Sequence, residues 1–214
     1  MNTPNLPAAP ETAEITNILN EARKNATFER MLKYEKGQYF CDKKEVPLGT
    51  KVIVHCIGWG KEWVKFKDGQ FIERRVYRIG KGERIPERQD LDDQDEKFWN
   101  IGLDKQPRDP WVFRYLLPVQ IVDTDETMIF TAQSFGGRRA VDDLCFTYAQ
   151  RAARDKNCGQ PIVRLESTTM PSKKYGNVQK PKFEIIGWDD GVVPVREMSA
   201  EDLKKTDFND EIPF

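Results

Sequence analysis

Between residues 37 and 188 the apolar positions fall in short runs rich in β-branched and aromatic residues, broken by clusters of Gly, Pro and Asp. Seven such runs, at residues 52–57, 63–67, 70–79, 112–122, 127–135, 162–166 and 183–188, predict strands. Strands this short and numerous suit a barrel or a sandwich. One segment has a different period. Over residues 139–155, Val141, Leu144, Cys145, Tyr148, Ala149 and Ala152 recur at i, i+3, i+4 spacing, with Asp142, Asp143, Gln150, Arg151 and Arg154 off the stripe, which predicts an amphipathic helix. A looser stripe over residues 14–33 (Ile15, Ile18, Leu19, Ala22, Ala26, Met31, Leu32) predicts an N-terminal helix used for packing or for self-association into a homo-oligomer.

The order strands, helix, strands is that of an oligonucleotide/oligosaccharide-binding (OB) barrel, whose helix plugs one end. The expected fold class is therefore mainly β (α+β): an OB-fold-like Greek-key barrel with one plug helix, an N-terminal helix and a disordered acidic C-terminal tail. The expected organisation is residues 1–35 as a disordered segment and helix, 36–190 as the barrel, 191–206 as a flexible linker in which 198–204 form at most one helical turn, and 207–214 as a separate tip.

The strongest local signal is Asp68-Gly69, a two-residue turn whose twist matches that of paired strands. An uninterrupted register from that turn pairs Lys67 with Gln70, Phe66 with Phe71, Lys65 with Ile72, Val64 with Glu73 and Trp63 with Arg74. Side chains alternate between faces, so Trp63, Lys65, Lys67, Ile72, Arg74, Val76 and Arg78 then share one side. Trp59, Lys61, Lys81 and Arg84 extend this region, which holds eight basic residues against four acids between Trp59 and Arg84. Positive charge that follows phosphates, combined with flat rings on which bases stack, is what a groove for unpaired nucleic acid requires. On this reading, replacing Trp63 and Lys65 with Ala weakens oligonucleotide binding without unfolding the protein.

Charge distribution sharpens the picture where net charge does not. The chain of 214 residues carries 34 basic and 35 acidic side chains, yet residues 189–214 hold eight acids and three bases, leaving the preceding part at about +4. The last eight residues, Asp207-Phe208-Asn209-Asp210-Glu211-Ile212-Pro213-Phe214, lead from acids into an apolar tripeptide. Such a peptide suits a small hydrophobic pocket rimmed by Arg or Lys. It resembles the C-terminal tip of bacterial single-stranded DNA-binding proteins. Asp207, Phe208, Asp210, Ile212, Pro213 and Phe214 match by type and position, while Asn209 stands where an acid is usual. The resemblance implies that the tip recruits replication, recombination and repair enzymes: polymerase, helicase, primase, exonuclease and recombination mediators. It also implies a cytoplasmic setting, either the bacterial nucleoid or a phage protein in its host.

Other candidates are weaker. Gly136-Gly137-Arg138-Arg139 lacks the lysine of a phosphate-cradling loop, so the glycines are expected in a turn and Arg138 and Arg139 as accessory backbone contacts. Trp111 or Tyr115 is expected to face DNA from an otherwise buried aromatic group that includes Trp99 and Phe113, and Lys173, Lys174 and Tyr175 to form a mobile basic loop that clamps a strand. The acidic run Glu87, Asp90, Asp92, Asp93, Asp95, Glu96 is expected to lie away from the groove, since it would repel DNA. His55, the one histidine, has no partner triad. With four cysteines and no C-x-x-C pair, neither zinc nor a disulfide framework is expected. No cofactor and no membrane partner follow from the sequence. The expected protein is a non-enzymatic single-stranded DNA-binding protein. Its rivals are an adaptor or inhibitor that mimics the tip without binding DNA, and a metal-dependent nucleic-acid enzyme.

Overall fold

The structure is a computed structural model and describes residues 30–79, 82–102, 105–155, 157–173 and 176–189. The expected helix over residues 14–29, the linker and the tip lie outside the described residues. Among the described residues, twelve strands and one α-helix follow in chain order: β1 (Arg30–Glu35), β2 (Gln38–Cys41), β3 (Lys44–Val46), β4 (Lys51–Val54), β5 (Gly60–Lys67), β6 (Gln70–Arg78), β7 (Asn100–Ile101), β8 (Pro107–Arg108), β9 (Trp111–Ile121), β10 (Thr127–Ala132), α1 (Phe135–Arg154), β11 (Gln160–Ser172) and β12 (Gly176–Asp189). Ten of the strands form one sheet in the order β12-β11-β4-β9-β10-β1-β2-β3, with β5 and β6 branching from β9. The sheet is curled into an open half-barrel.

The branch arises because β9 is long enough to serve several partners. One of its edges pairs with β5 through Trp111–Leu116 and then with β4 through Val119–Ile121, while its other edge carries β10. A single 3-10 turn at Cys56–Gly58 lets the chain leave β4 and rejoin the same edge as β5. The concave side holds the core: Leu32, Tyr39, Val52, Val54, Leu117, Val119, Phe130, Val163 and Leu165 from the sheet, with Val141, Leu144 and Cys145 from α1. Each large apolar side chain removed from water in this way contributes roughly 1.5–3 kcal/mol. Contacts across the curl draw its ends together. Tyr39 Oη donates to the Glu166 carbonyl at 3.0 Å, Tyr34 Oη bonds Ser167 Oγ, and the Phe130 and Phe183 rings meet edge to face at 5.1 Å.

Several expectations change. Residues 30–33 are strand rather than the end of a helix, because Leu32 is buried and the segment pairs in parallel with β10 and turns back into β2 at Lys36-Gly37, both at positive φ. Gly136 and Gly137 are not a turn. They form the first helical turn of α1, which starts four residues earlier than expected and is capped by Ser134 Oγ accepting from Gly137 N at 3.1 Å. Glycine is required there by close approach: a Cβ on Gly136 would lie 2.9 Å from Lys180 Cβ and 3.1 Å from Met170 Sδ. At the other end of α1, Ala149 is exposed instead of joining the buried stripe. The last two strands are far longer than their apolar runs because their outer halves, residues 167–172 and 176–181, pair as polar antiparallel arms.

Candidate nucleic-acid interface

The Asp68-Gly69 turn forms as expected, with both residues at positive φ (52 and 76) and Lys67 and Phe66 opposite Gln70 and Phe71. Beyond it the register shifts. Ile72 is an extra, half-exposed residue, so Lys65 pairs with Glu73, Val64 with Arg74, Trp63 with Arg75, Glu62 with Val76, Lys61 with Tyr77 and Gly60 with Arg78. A bulge moves every later side chain of one strand to the opposite face. The expected grouping of Arg74, Val76 and Arg78 with Trp63 is thereby corrected, and Arg75 and Tyr77 take their place. On the other side of β5, β9 sets Tyr115 opposite Lys61, Phe113 opposite Trp63 and Trp111 opposite Lys65. Directly opposed residues share a face. The result is three cross-strand rows: Tyr77–Lys61–Tyr115, Arg75–Trp63–Phe113 and Glu73–Lys65–Trp111.

Within these rows the rings form a continuous path. Trp59 and Tyr115 are 5.9 Å apart, Tyr115 and Phe113 5.7 Å, and Phe113 and Trp63 4.8 Å. Lys61 Nζ sits 4.4 Å from the Tyr115 ring centre and 5.2 Å from that of Trp59, so one ammonium serves both faces. Arg138, from the first turns of α1, places its guanidinium 5.8 Å from Phe113. Trp59, Lys61, Phe113, Tyr77 and Arg138 are half-exposed, whereas Tyr115 is nearly covered.

The other end of the path is occupied. Trp63 is 9% exposed and Trp111 3%, and the two share a small core with Leu91. Their indole N–H groups are taken by the Pro86 carbonyl at 3.0 Å and by Asp92 Oδ1 at 2.8 Å. Lys65 Nζ lies 2.9 Å from Asp92 and 2.7 Å from Asp93. These pairs hold the Lys65 ammonium above the ordinary lysine range, Asp93 contributing most, and its hydrogen bond holds the Asp92 carboxyl below the usual carboxylate range. Arg88 fastens the same loop, reaching Asp109 at 2.6 Å and the carbonyls of Asp92 and Asp93 at 2.9 and 2.8 Å. The acidic run therefore lies on the cationic face, contrary to expectation, because Leu91 has an apolar site there and Lys65 supplies its counter-charge.

The remaining candidates scatter. Arg74 turns to the opposite face, where its Nε pairs with Glu62, a carboxylate with no exposed surface, and Arg114 Nε approaches the same group at 3.8 Å. Burial lowers the pKa of Arg114. Lys67 is exposed beside the turn, and Arg78 lies at the far end of β6 with its backbone N–H on Glu83. Arg139 pairs along the helix with Asp143 at 3.1 Å, and Lys173 is exposed where β11 ends. Lys81, Lys174, Tyr175 and the tip residues lie outside the described residues. Phe113 packs against the core as expected while staying half-exposed, whereas Tyr77 lies on the face opposite to the one expected. The bulge at Ile72 sets Tyr77 opposite Lys61, and the β5–β9 pairing sets Phe113 opposite Trp63.

Elsewhere, His55 is buried after β4, and desolvation lowers its pKa. The four cysteines are free. Among the described residues no group of three His, Cys, Asp or Glu side chains could hold a metal ion, and no helix is long and apolar enough to cross a membrane. No protein-family model, curated protein or solved structure matches the chain.

Proposed function

We propose that the chain is a single-stranded DNA-binding protein whose curled sheet is a divergent OB-like barrel and whose C-terminal tip docks DNA-processing enzymes. The observation that carries this reading is the placement of Lys61 between Trp59 and Tyr115, with Phe113 and Arg138 continuing the same face. The half-exposed rings of Trp59 and Phe113 accept stacked bases at roughly 1–3 kcal/mol each, with buried Tyr115 supporting Lys61 between them, and the interleaved cations release counterions from the phosphates. Neither interaction reads base edges, so binding is tolerant of sequence.

The protein performs no chemistry on the strand. It shields unpaired DNA while the acidic tail, ending in Asp210-Glu211-Ile212-Pro213-Phe214, raises the local concentration of polymerases, helicases, primases, exonucleases or recombination mediators. Titration with oligo-dT, followed by tryptophan fluorescence, tests the body. Quenching at low salt that weakens as salt rises is expected, and Lys61→Ala should lower the slope of log affinity against log salt by about 0.7, the value for one phosphate contact on a single strand. Absence of quenching in dilute buffer overturns the reading and leaves a tip-bearing adaptor. Deleting Phe214 should abolish capture of tip-binding enzymes and spare oligo-dT binding.

A further inference from the structure

The loop across Trp63 and Trp111 divides the aromatic path into an open half and a covered half. At the open half, the Lys61 ammonium lies against the rings of Tyr115 and Trp59. At the covered half, Lys65 and the indole N–H groups of Trp63 and Trp111, which would attract a nucleotide, are already met by the chain itself. Lys65 has two carboxylates within 2.9 Å, the Trp111 N–H donates to one of them, Asp92, at 2.8 Å, and Leu91 packs with both indoles. Glu73, opposite Lys65 on β6, adds a further acid, itself paired with Arg75 at 2.6 Å. A phosphate brought to Lys65 meets Asp92, Asp93 and Glu73.

From this we propose that the loop containing Leu91, Asp92 and Asp93 is a built-in strand stop: its carboxylates stand where phosphates would, neutralise Lys65, and confine a single strand to the half of the face where Trp59, Lys61 and Phe113 are half-exposed. The inference rests on the DNA-binding reading and specifies its footprint. The loop is suited to this task because it is anchored at both levels. Leu91 sits in an apolar site, and Arg88 fixes the backbone through Asp109 and two carbonyls, so the carboxylates are held in place without help from a ligand.

The test is a cycle of salt-dependent oligo-dT titrations on full-length protein. Lys65→Ala alone should leave the salt slope unchanged, since that cation is already neutralised. Asp92→Asn with Asp93→Asn should raise the slope by about 0.7, one added phosphate contact on a single strand, and adding Lys65→Ala to that pair should return it to the native value. A slope lowered by about 0.7 in Lys65→Ala, or unchanged in the Asn pair, overturns the proposal. Should circular dichroism show that the Asn pair does not fold, Lys65→Ala alone decides. Failure of native protein to bind at all is a separate result, and it removes the DNA-binding reading itself.

Discussion

Trp63→Ala separates a structural tryptophan from a stacking platform. The indole is 9% exposed, rests 4.8 Å from the Phe113 ring, touches the Leu91 cluster and donates to the Pro86 carbonyl. An aromatic side chain buries about 150–250 Å², and at about 25 cal/mol per Å² its removal forfeits about 4–6 kcal/mol before relaxation. Truncations of buried aromatics cost about 3–5 kcal/mol, so about 4 kcal/mol is expected here. For a domain of this size each kcal/mol moves the unfolding midpoint by about 2–4 °C, giving a drop of about 8–16 °C. Thermal unfolding followed by circular dichroism reads this directly. A midpoint within about 2 °C of native, together with weakened oligonucleotide binding, would refute the packing argument and restore Trp63 as an exposed platform for bases. Burial of the indole thus adds a stability cost to the paired Trp63→Ala, Lys65→Ala substitution that the sequence-based expectation did not include.

Glu62→Gln removes the carboxylate that faces Arg74 and Arg114 in a buried setting, and urea unfolding should show a loss of about 3–5 kcal/mol, the cost of leaving buried charge without its counter-charge. His55 gives an acid-side prediction with a definite sign. Its folded pKa is lowered by burial, so as pH falls the unfolded chain takes up the proton first, and stability declines from about pH 6.5 downward until the folded pKa is passed. Melting midpoints recorded between pH 7 and pH 5 should fall in native protein and fall less in His55→Gln; parallel curves would show that this group is not responsible.

Local rules carried as far as elements whose cause is local. The Asp68-Gly69 turn, the amphipathic stripe of Val141, Leu144 and Cys145, and the strands around Val52 and Val54 were legible because turn geometry and hydrophobic period depend on neighbours in the chain. The polar arms of β11 and β12 were not, because hairpin pairing and contacts with Tyr34 and α1, rather than apolar alternation, hold them. The two glycines of α1 read as a turn until the neighbouring Met170 and Lys180 showed why no side chain fits.

The residue types of the candidate site, a cationic hairpin with tryptophans and a separate acidic run, were determined by the sequence alone. Which of them meet was decided only in three dimensions. One bulged residue, Ile72, exchanged Arg74 for Arg75 and sent Arg74 to Glu62, and the fold of β9 brought Phe113 and Tyr115 beside Lys61. Asp92 and Asp93, far along the chain from Lys65, settled on it because an apolar anchor at Leu91 and an unpaired ammonium on the same face made that the lower-energy place for an acidic loop. Period and propensity act over a few residues, whereas charge pairing and burial act through space, and only the second kind of force chose which half of the aromatic face stayed open.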